Sequence, residues 1–226
     1  CDRMQIEVTA PCVNSSTGGF TVQDGTIHFG LAAIKGCGES AAMAIADARQ
    51  REGPFKDIFD FCERIDLAAC NRATVETLIK AGAMDCLGAH RRQLIEVIER
   101  AIQAGQSAAA DRRSGQQNLF AALDDDADET KQIDLPAVGE FDEREKLVLE
   151  KEVLGFFLSS HPLDEYRQLL SEYCSHTTRT IFDLQDRTEV IMGGMIGNIR
   201  LLHTRNNRPG SLTKYADFEL EDVDGS

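Results

Sequence analysis

The sequence lacks any run of about 20 consecutive apolar residues, the length that a membrane-spanning helix needs. It also lacks a charged leader followed by an apolar stretch, so no secretory signal is predicted. Seven cysteines are present, but no two of them form a Cys-x-x-Cys pair. We therefore expect reduced, small and buried cysteines in a cytoplasmic protein, with no metal site and no membrane partner.

An overall excess of positive charge is also missing, since the formal net charge is −14. The acidic residues are unevenly spread: residues 1–115 carry 13 Lys/Arg against 15 Asp/Glu, and residues 116–158 carry 4 against 12. Residues 159–226 carry 7 against 11. Binding of a charged partner depends on the potential within about 10 Å. Acid in the middle of the chain therefore permits a nucleic-acid site elsewhere, but it predicts weak affinity.

The length of 226 residues is enough for one large domain or two small ones. Because the sequence begins at Cys1, we expect it to be a piece of a longer protein.

Residues 34–39 predict a loop between two short helices. A small apolar face precedes the loop, and residues 41–48 supply helix formers with an apolar stripe at helical spacing. Gly53 and Pro54 then predict the end of the second helix. Gly36 and Gly38 let the backbone turn sharply and approach another surface closely.

That loop has the features of a phosphate-binding turn. Backbone N–H groups of the loop and of the following helical turn would face outward at the positive end of the helix dipole, with Lys35 beside them. Such contacts hold the phosphate backbone and do not read bases. The predicted DNA-binding residues are Lys35, Gly36, Cys37, Gly38, Glu39 and Ser40.

The alternative is that the two glycines only close a tight connection between helices, because Gly-x-Gly alone is weak evidence. The wider pattern, aliphatic-Lys-Gly-x-Gly-x-x-Ala-Ala-x-x-Ile, is more specific. It resembles the helix-hairpin-helix element of proteins that hold DNA without sequence preference. Residues 79–83 repeat the pattern of residues 34–38 with a single, displaced glycine. We interpret this copy as degenerate and structural, with Lys80 near phosphate.

The flanking segments predict ordinary secondary structure. Asp24-Gly25 between alternating residues predicts a β-hairpin. Short helices are predicted from residue 58 and after Asn71, a long helix from about 91 to 110, and a further helix over 141–158. The last helix carries charged pairs, among them Glu145, Lys146, Glu150 and Lys151. His161 precedes a proline and predicts packing or capping, not catalysis.

Residues 112–129 predict a solvated, acidic segment that contains two large apolar residues, Leu119 and Phe120. Two such residues between polar flanks are typical of a short recognition peptide. Adjacent carboxylates in such a linker cannot fix the geometry of a metal site.

The chain changes to strand-like sequence from Glu189, and residues 190–216 contain four basic and no acidic residues: Arg200, Arg205, Arg208 and Lys214. This interval is similar to the start of an OB barrel whose charged loops track single strands. An exposed hairpin kept soluble by its charges is the alternative. A barrel needs five strands, so it would be incomplete.

Four segments together resemble the bacterial C-family replicative DNA polymerases, the DNA polymerase III α-subunit family. They are residues 29–38, 71–87, 114–120 and 149–163, and the resemblance covers nearly the whole chain. It implies a mainly α fold with a small β part, in which a helix-hairpin-helix domain is followed by the start of an OB-type barrel. The implied divisions are the end of the fingers (1–30), the hairpin domain (31–113), the clamp peptide and linker (114–140), a helical connector (141–188) and a partial OB domain (189–226).

The resemblance also implies partners and activity. Gln116, Leu119 and Phe120 would be the anchors that enter the β sliding clamp, and duplex DNA, single-stranded template at the OB part and other replisome subunits would be partners. The parent protein would be a DNA-directed DNA polymerase that requires Mg²⁺. We expect no catalytic residues and no cofactor in this piece, because no palm strand with fixed carboxylates precedes the hairpin domain. Two alternatives are a repair or recombination adaptor and the error-prone relative of the polymerase, in which the clamp peptide tends to be degraded.

Overall fold

The computed structural model describes residues 6–114, 135–204 and 213–223. These residues belong to two compact units, Cys1–Ser159 and Ser160–Ser226. Among its described residues, the first unit contains three short strands and five α-helices, with these bounds: β1 Val8–Thr9, β2 Thr21–Gln23, β3 Thr26–His28, α1 Glu39–Glu52, α2 Ile58–Arg64, α3 Arg72–Lys80, α4 Arg91–Ser114 and α5 Glu143–Leu154. The predicted class, mainly α with a small β part, is confirmed.

The predicted β-hairpin is present in the first unit. β2 pairs antiparallel with β3, and β1 pairs parallel with β3 on its other side. Asp24 and Gly25 form the turn with φ of 51° and 81°, the left-handed values that this residue pair tolerates. β3 leads through the 3₁₀ turn Leu31–Ala33 directly into the loop before α1.

The helices begin where the sequence supplies caps. The Asn71 side chain accepts a hydrogen bond from the Thr74 N–H at the start of α3. Asp142 and Glu145 form a capping box at the start of α5. Each cap satisfies N–H groups that the helix itself leaves without a partner, which stabilises a helix end by about 1 kcal/mol.

The core of the first unit lies among its helices, with α4 packed along α2 and α3, and α5 packed on α3. Gly105 permits the close approach of α4 to α2, because a Cβ at this position would lie 2.3 Å from the Cys62 carbonyl oxygen. Phe55 and Phe61 are buried and pack edge to face, with ring centroids 4.9 Å apart. Both rings therefore belong to the core of this unit.

Helix α5 ends at Leu154, although the sequence predicts helix to residue 158. Gly155 has φ of 86° and its N–H donates to the Lys151 carbonyl, so the chain leaves the helix in a left-handed C-terminal turn. Phe156 lies beyond the helix with its ring 6.0 Å from that of Phe29, and Leu158 packs against the core.

The second unit contains α6 Arg167–Tyr173, β4 Met195–His203 and β5 Lys214–Glu221. β4 and β5 pair antiparallel, with a register shift between Gly197 and Arg200. The sequence indicates strand from Glu189, but β4 begins only at Met195. Before it, Ile191 exchanges hydrogen bonds of 2.9 Å with the backbone and side chain of Ser175. Asp222 is buried and accepts hydrogen bonds from the Thr178 N–H and hydroxyl.

The prediction that the cysteines are uniformly buried is wrong in part. Cys37, Cys62 and Cys70 are buried, whereas Cys86 is exposed and Cys12 is half-buried. All six cysteines among the described residues are free thiols. Within the same residues, no helix is long and apolar enough to cross a membrane.

Candidate nucleic-acid interface

Residues 34–40 connect the 3₁₀ turn Leu31–Ala33 to α1, and two side chains fix this loop to the core. Ile34 and Cys37 are 1% and 2% exposed. The Cys37 N–H donates to the Ile34 carbonyl at 2.9 Å, which closes the loop on itself. The residues between and after these anchors are exposed, so the loop presents its backbone to solvent.

Gly36 has a conformation and an environment that other residues would not fit. Its φ is +90°, which a side chain makes unfavourable, and a Cβ would lie 3.2 Å from the Thr77 hydroxyl oxygen. The Thr74 hydroxyl donates to the Gly36 carbonyl at 3.3 Å. Helix α3 therefore holds one side of the loop.

Lys35 connects the loop to α5 through its backbone. Its N–H donates to the Val153 carbonyl at 2.9 Å, in the last turn of that helix. Lys35 itself is exposed, so its side chain is available to an anion in solvent. The position of the loop thus depends on both α3 and α5.

The N-terminus of α1 carries no side-chain cap, because the N-cap residue is Gly38. Gly38, Glu39 and Ser40 are exposed, and within the described part of the chain no protein acceptor takes their N–H groups. At this end of a helix of 14 residues, unpaired amides and the helix dipole both favour an anion. The Glu39 carboxylate lies in the same turn and competes with that anion. The arrangement can bind a phosphate group through main-chain donors, with Lys35 as an added charge.

Cys37 has a packing role instead of the predicted DNA contact. Its side chain is in the core, its N–H is used within the loop, and burial raises the pKa of its thiol to about 11. The thiol is therefore neutral near pH 7 and faces away from any ligand of the loop.

Lys80 is exposed in part but is already paired. Its ammonium group lies 3.0 Å from Glu152 and 3.3 Å from Glu76, and the hydrogen bond to Glu152 is the main cause that raises its pKa. Two neighbouring carboxylates offset its charge. Lys80 therefore joins α3 to α5, and the predicted phosphate contact has no support in this geometry.

A buried charge cluster holds α5 in place, and no sequence pattern indicated it. Arg91 donates to Glu150 through Nη1 and Nη2 at 3.1 Å each, and to Asp85 at 2.8–3.1 Å. The Arg91 and Glu150 side chains are 8% and 3% exposed. The Ser159 hydroxyl also donates to Glu150 at 2.7 Å. Glu150 is thus a buried anchor whose partner is Arg91, a pairing that the charge pattern of the predicted helix did not indicate.

The other predicted site residues lie apart from this loop in the chain. Arg200 and Lys214 are exposed on β4 and β5 of the second unit, opposite Asp217 and His203 respectively. The remaining predicted residues lie outside the described residues: Arg205, Arg208, Gln116, Leu119 and Phe120. Within residues 6–114, 135–204 and 213–223, no group of three or more His, Cys, Asp or Glu side chains could hold a metal ion.

Comparison with known proteins connects this geometry to a family. Residues 5–94 match the family described as a helix-hairpin-helix motif. The DNA polymerase III subunit alpha of Vibrio cholerae is 37% identical over 215 residues, which cover 94% of this chain and 18% of that protein. The Pseudomonas aeruginosa subunit is 35% identical over 221 residues, with 91% and 19% covered. The Saccharopolyspora erythraea subunit is 32% identical over 233 residues, with 100% and 19% covered.

The chain spans about a fifth of the length of these curated relatives. The matches cover more than nine-tenths of the chain. They therefore include the loop of residues 34–40, the helices α3 and α5 that support it, and the second unit. Over more than nine-tenths of its length, the chain is therefore similar to a section of the DNA polymerase III α subunits, as its sequence motifs predict.

Proposed function

We propose that this chain is the part of a replicative DNA polymerase that holds duplex DNA by its phosphates, without sequence preference. The observation that carries the proposal is the exposed, uncapped start of α1 at Gly38, Glu39 and Ser40. The helix-hairpin-helix match over residues 5–94 supports it independently. Main-chain donors at a helix start recognise phosphate in any sequence, because they do not reach base edges.

A rigid support for the loop favours this role over that of a plain connection. The loop is held by Thr74 from α3 and by the Val153 carbonyl from α5, while its outward amides have no competing acceptor among the described residues. A loop that served only to join two helices would not need its donors left open toward solvent. The open donors are what a phosphate chain would occupy.

Duplex binding by the chain tests this proposal. We expect fluorescence anisotropy to show weak binding of two unrelated duplexes of equal length at about 50 mM salt, with dissociation constants on the order of 0.1 mM. The two affinities should agree within a factor of about three, and both should fall as salt is raised, because released counterions drive the binding. No binding by the folded chain at low salt, or a strong preference for one sequence, would contradict the proposal.

The relatives' names favour polymerisation as the activity of the whole protein, because they are DNA polymerase III α subunits. In that protein Mg²⁺ would support nucleotidyl transfer, and the carboxylates that hold it would lie outside the residues of this chain. The present chain is then a non-catalytic portion that positions DNA for chemistry elsewhere. A repair or recombination adaptor would use the same loop, but the names of the relatives favour the hypothesis that the chain is part of a polymerase.

A second element of the proposed function is docking to a β sliding clamp through Gln116, Leu119 and Phe120. Two large apolar side chains between polar flanks support it. Each could contribute about 1.5–3 kcal/mol when buried in a pocket of the partner. A clamp tether would raise the effective concentration of DNA at the loop. Weak binding of DNA by the loop would then be enough to keep the protein on the duplex.

The clamp proposal predicts a loss of clamp binding when the two apolar residues are removed. Leu119→Ala with Phe120→Ala should remove clamp binding in a pull-down, while duplex binding stays unchanged, because the two contacts use different residues. Leu169→Ala with Phe182→Ala is the matched control, since these side chains are 55% and 86% exposed in the second unit. Clamp retention by the first variant, or its loss from the control, would remove the tether from the account.

A third element rests on the basic interval of β4 and β5. Arg200 and Lys214, together with Arg205 and Arg208, would contact single-stranded template by its phosphates. The exposure of Arg200 and Lys214 and the lack of acidic residues in 190–216 support this assignment.

A further inference from the structure

Cys86 and the residue that follows Cys12 share one acceptor, the Ala83 carbonyl oxygen, although they are far apart in the sequence. The Val13 N–H donates to the Ala83 carbonyl oxygen at 2.8 Å. The Cys86 sulfur contacts the same oxygen at 3.9 Å. Cys12 precedes Val13, so the shared acceptor brings the segment before β2 against the 3₁₀ turn Asp85–Leu87. The Cys12 and Cys86 side chains are hydrogen-bonded to each other there.

The surroundings of Cys12 favour its thiolate. The hydrogen bond from the Cys86 thiol is the largest of the causes that hold the pKa of Cys12 well below its ordinary value, and partial burial opposes it. The side chain of Ser15 and the backbone N–H groups of Asn14 and Ser15 lower it further, with the Asn14 nitrogen 3.4 Å from the sulfur. The same pairing raises the pKa of Cys86.

Access distinguishes this pair from the core cysteines. Cys86 is exposed and Cys12 is half-buried, so a small reagent can reach both. In Cys62 and Cys70, burial is the main cause that raises the pKa of the thiol to about 12, and those thiols stay neutral and enclosed. A reactive cysteine needs both thiolate character and exposure, and the pair combines them.

We propose that Cys12 and Cys86 are a redox modification site, which a low-molecular-weight disulfide such as oxidised glutathione converts into a reversible intramolecular disulfide. The proposed DNA contact uses neither residue, and the proposal stands without it. The cross-link would close the chain between residues 12 and 86, a stretch that includes the hairpin loop and its support on α3.

The chemistry balances in two exchange steps. The Cys12 thiolate attacks one sulfur of the small disulfide, forms a mixed disulfide and releases one small thiolate, which takes a proton from solvent. Cys86 then loses its proton and attacks the Cys12 sulfur, which releases the second small thiol. Two protein thiols are oxidised to one disulfide, and one small disulfide is reduced to two thiols.

Mass mapping of the reduced chain after incubation with oxidised glutathione tests the proposal without any substitution. Remaining thiols are alkylated and the protein is cut with trypsin, which leaves Cys12 in residues 4–35 and Cys86 in residues 81–91 as the one cysteine of each peptide. We expect these two peptides to be joined by a disulfide, with loss of both free thiols, and a reducing agent should restore them.

One variant identifies which cysteine attacks first, and a second variant serves as its control. Cys86→Ser should retain glutathione on Cys12, because the resolving thiol is gone, and Cys174→Ser should form the Cys12 to Cys86 cross-link as the unmutated chain does. Cys174 is a suitable control because it is half-buried and lies in the second unit. In the unmutated chain, glutathione on either cysteine without the cross-link, or complete alkylation of both, would overturn the proposal.

Discussion

Arg91→Met is expected to lower the free energy of unfolding by about 3–5 kcal/mol, because it leaves the buried Glu150 carboxylate without its cation. Arg91 supplies two hydrogen bonds to Glu150 and three to Asp85. Methionine fills similar volume but donates none of them. Since α5 also supplies the Val153 carbonyl that receives the Lys35 N–H, loosening this helix should disturb the hairpin loop as well.

Denaturant unfolding followed by circular dichroism measures this loss, since the chain contains no tryptophan for fluorescence. Arg92→Met is the matched control. Arg92 is adjacent and pairs with Glu145 at 3.0 Å, but its side chain is 36% exposed. It also stacks on Phe141, so its removal should cost no more than about 1 kcal/mol.

A double variant that removes both charges separates the destabilisation caused by an unpaired buried charge from that caused by lost packing. Arg91→Met combined with Glu150→Leu should recover much of the stability lost in the single variant, because no carboxylate is then buried without a partner. Equal losses for Arg91→Met and Arg92→Met would contradict the role assigned to the cluster.

These two neighbouring arginines mark the limit of what the sequence predicts. Local signals placed the elements well: Asp24-Gly25 gave the hairpin turn, Asn71 gave the cap of α3, and Gly53 marks the residue after α1. No local signal separates Arg91 from Arg92, because both pair with α5 and differ only in burial. Arg91 meets the buried Glu150, 59 residues away, whereas Arg92 meets the exposed Glu145. Burial of Glu150 was missed for the same reason.

The candidate loop was predicted in position but not in every contact. The spacing of Gly36 and Gly38 indicated a close turn before α1, and the structure gives Gly36 a φ of +90°. The pattern could not show that Cys37 faces the core or that Lys80 is neutralised by Glu152 and Glu76. Both facts depend on how α3 and α5 pack around the loop.

Gly38→Asp is expected to weaken duplex binding by roughly 10- to 100-fold while leaving the fold at least as stable. Gly38 has φ of −67° and ψ of 165°, which any N-cap residue adopts, and a Cβ there would meet only the Ser40 hydroxyl oxygen at 4.0 Å. An aspartate would accept the N–H groups of the first turn of α1, and helix stability should rise by a few tenths of a kcal/mol. Its carboxylate would then occupy the place proposed for a phosphate.

The most direct measurement compares the duplex affinities of Gly38→Asp and Gly139→Asp by fluorescence anisotropy at low salt. Gly139 is exposed with no atom within 4 Å of a Cβ, so its variant carries the same added charge away from the loop. The account predicts that Gly38→Asp loses most of its binding at unchanged or higher thermal stability, while Gly139→Asp binds nearly as the unmutated chain does. Equal binding by the two variants would contradict the claim that the open amides of α1 hold the phosphate backbone.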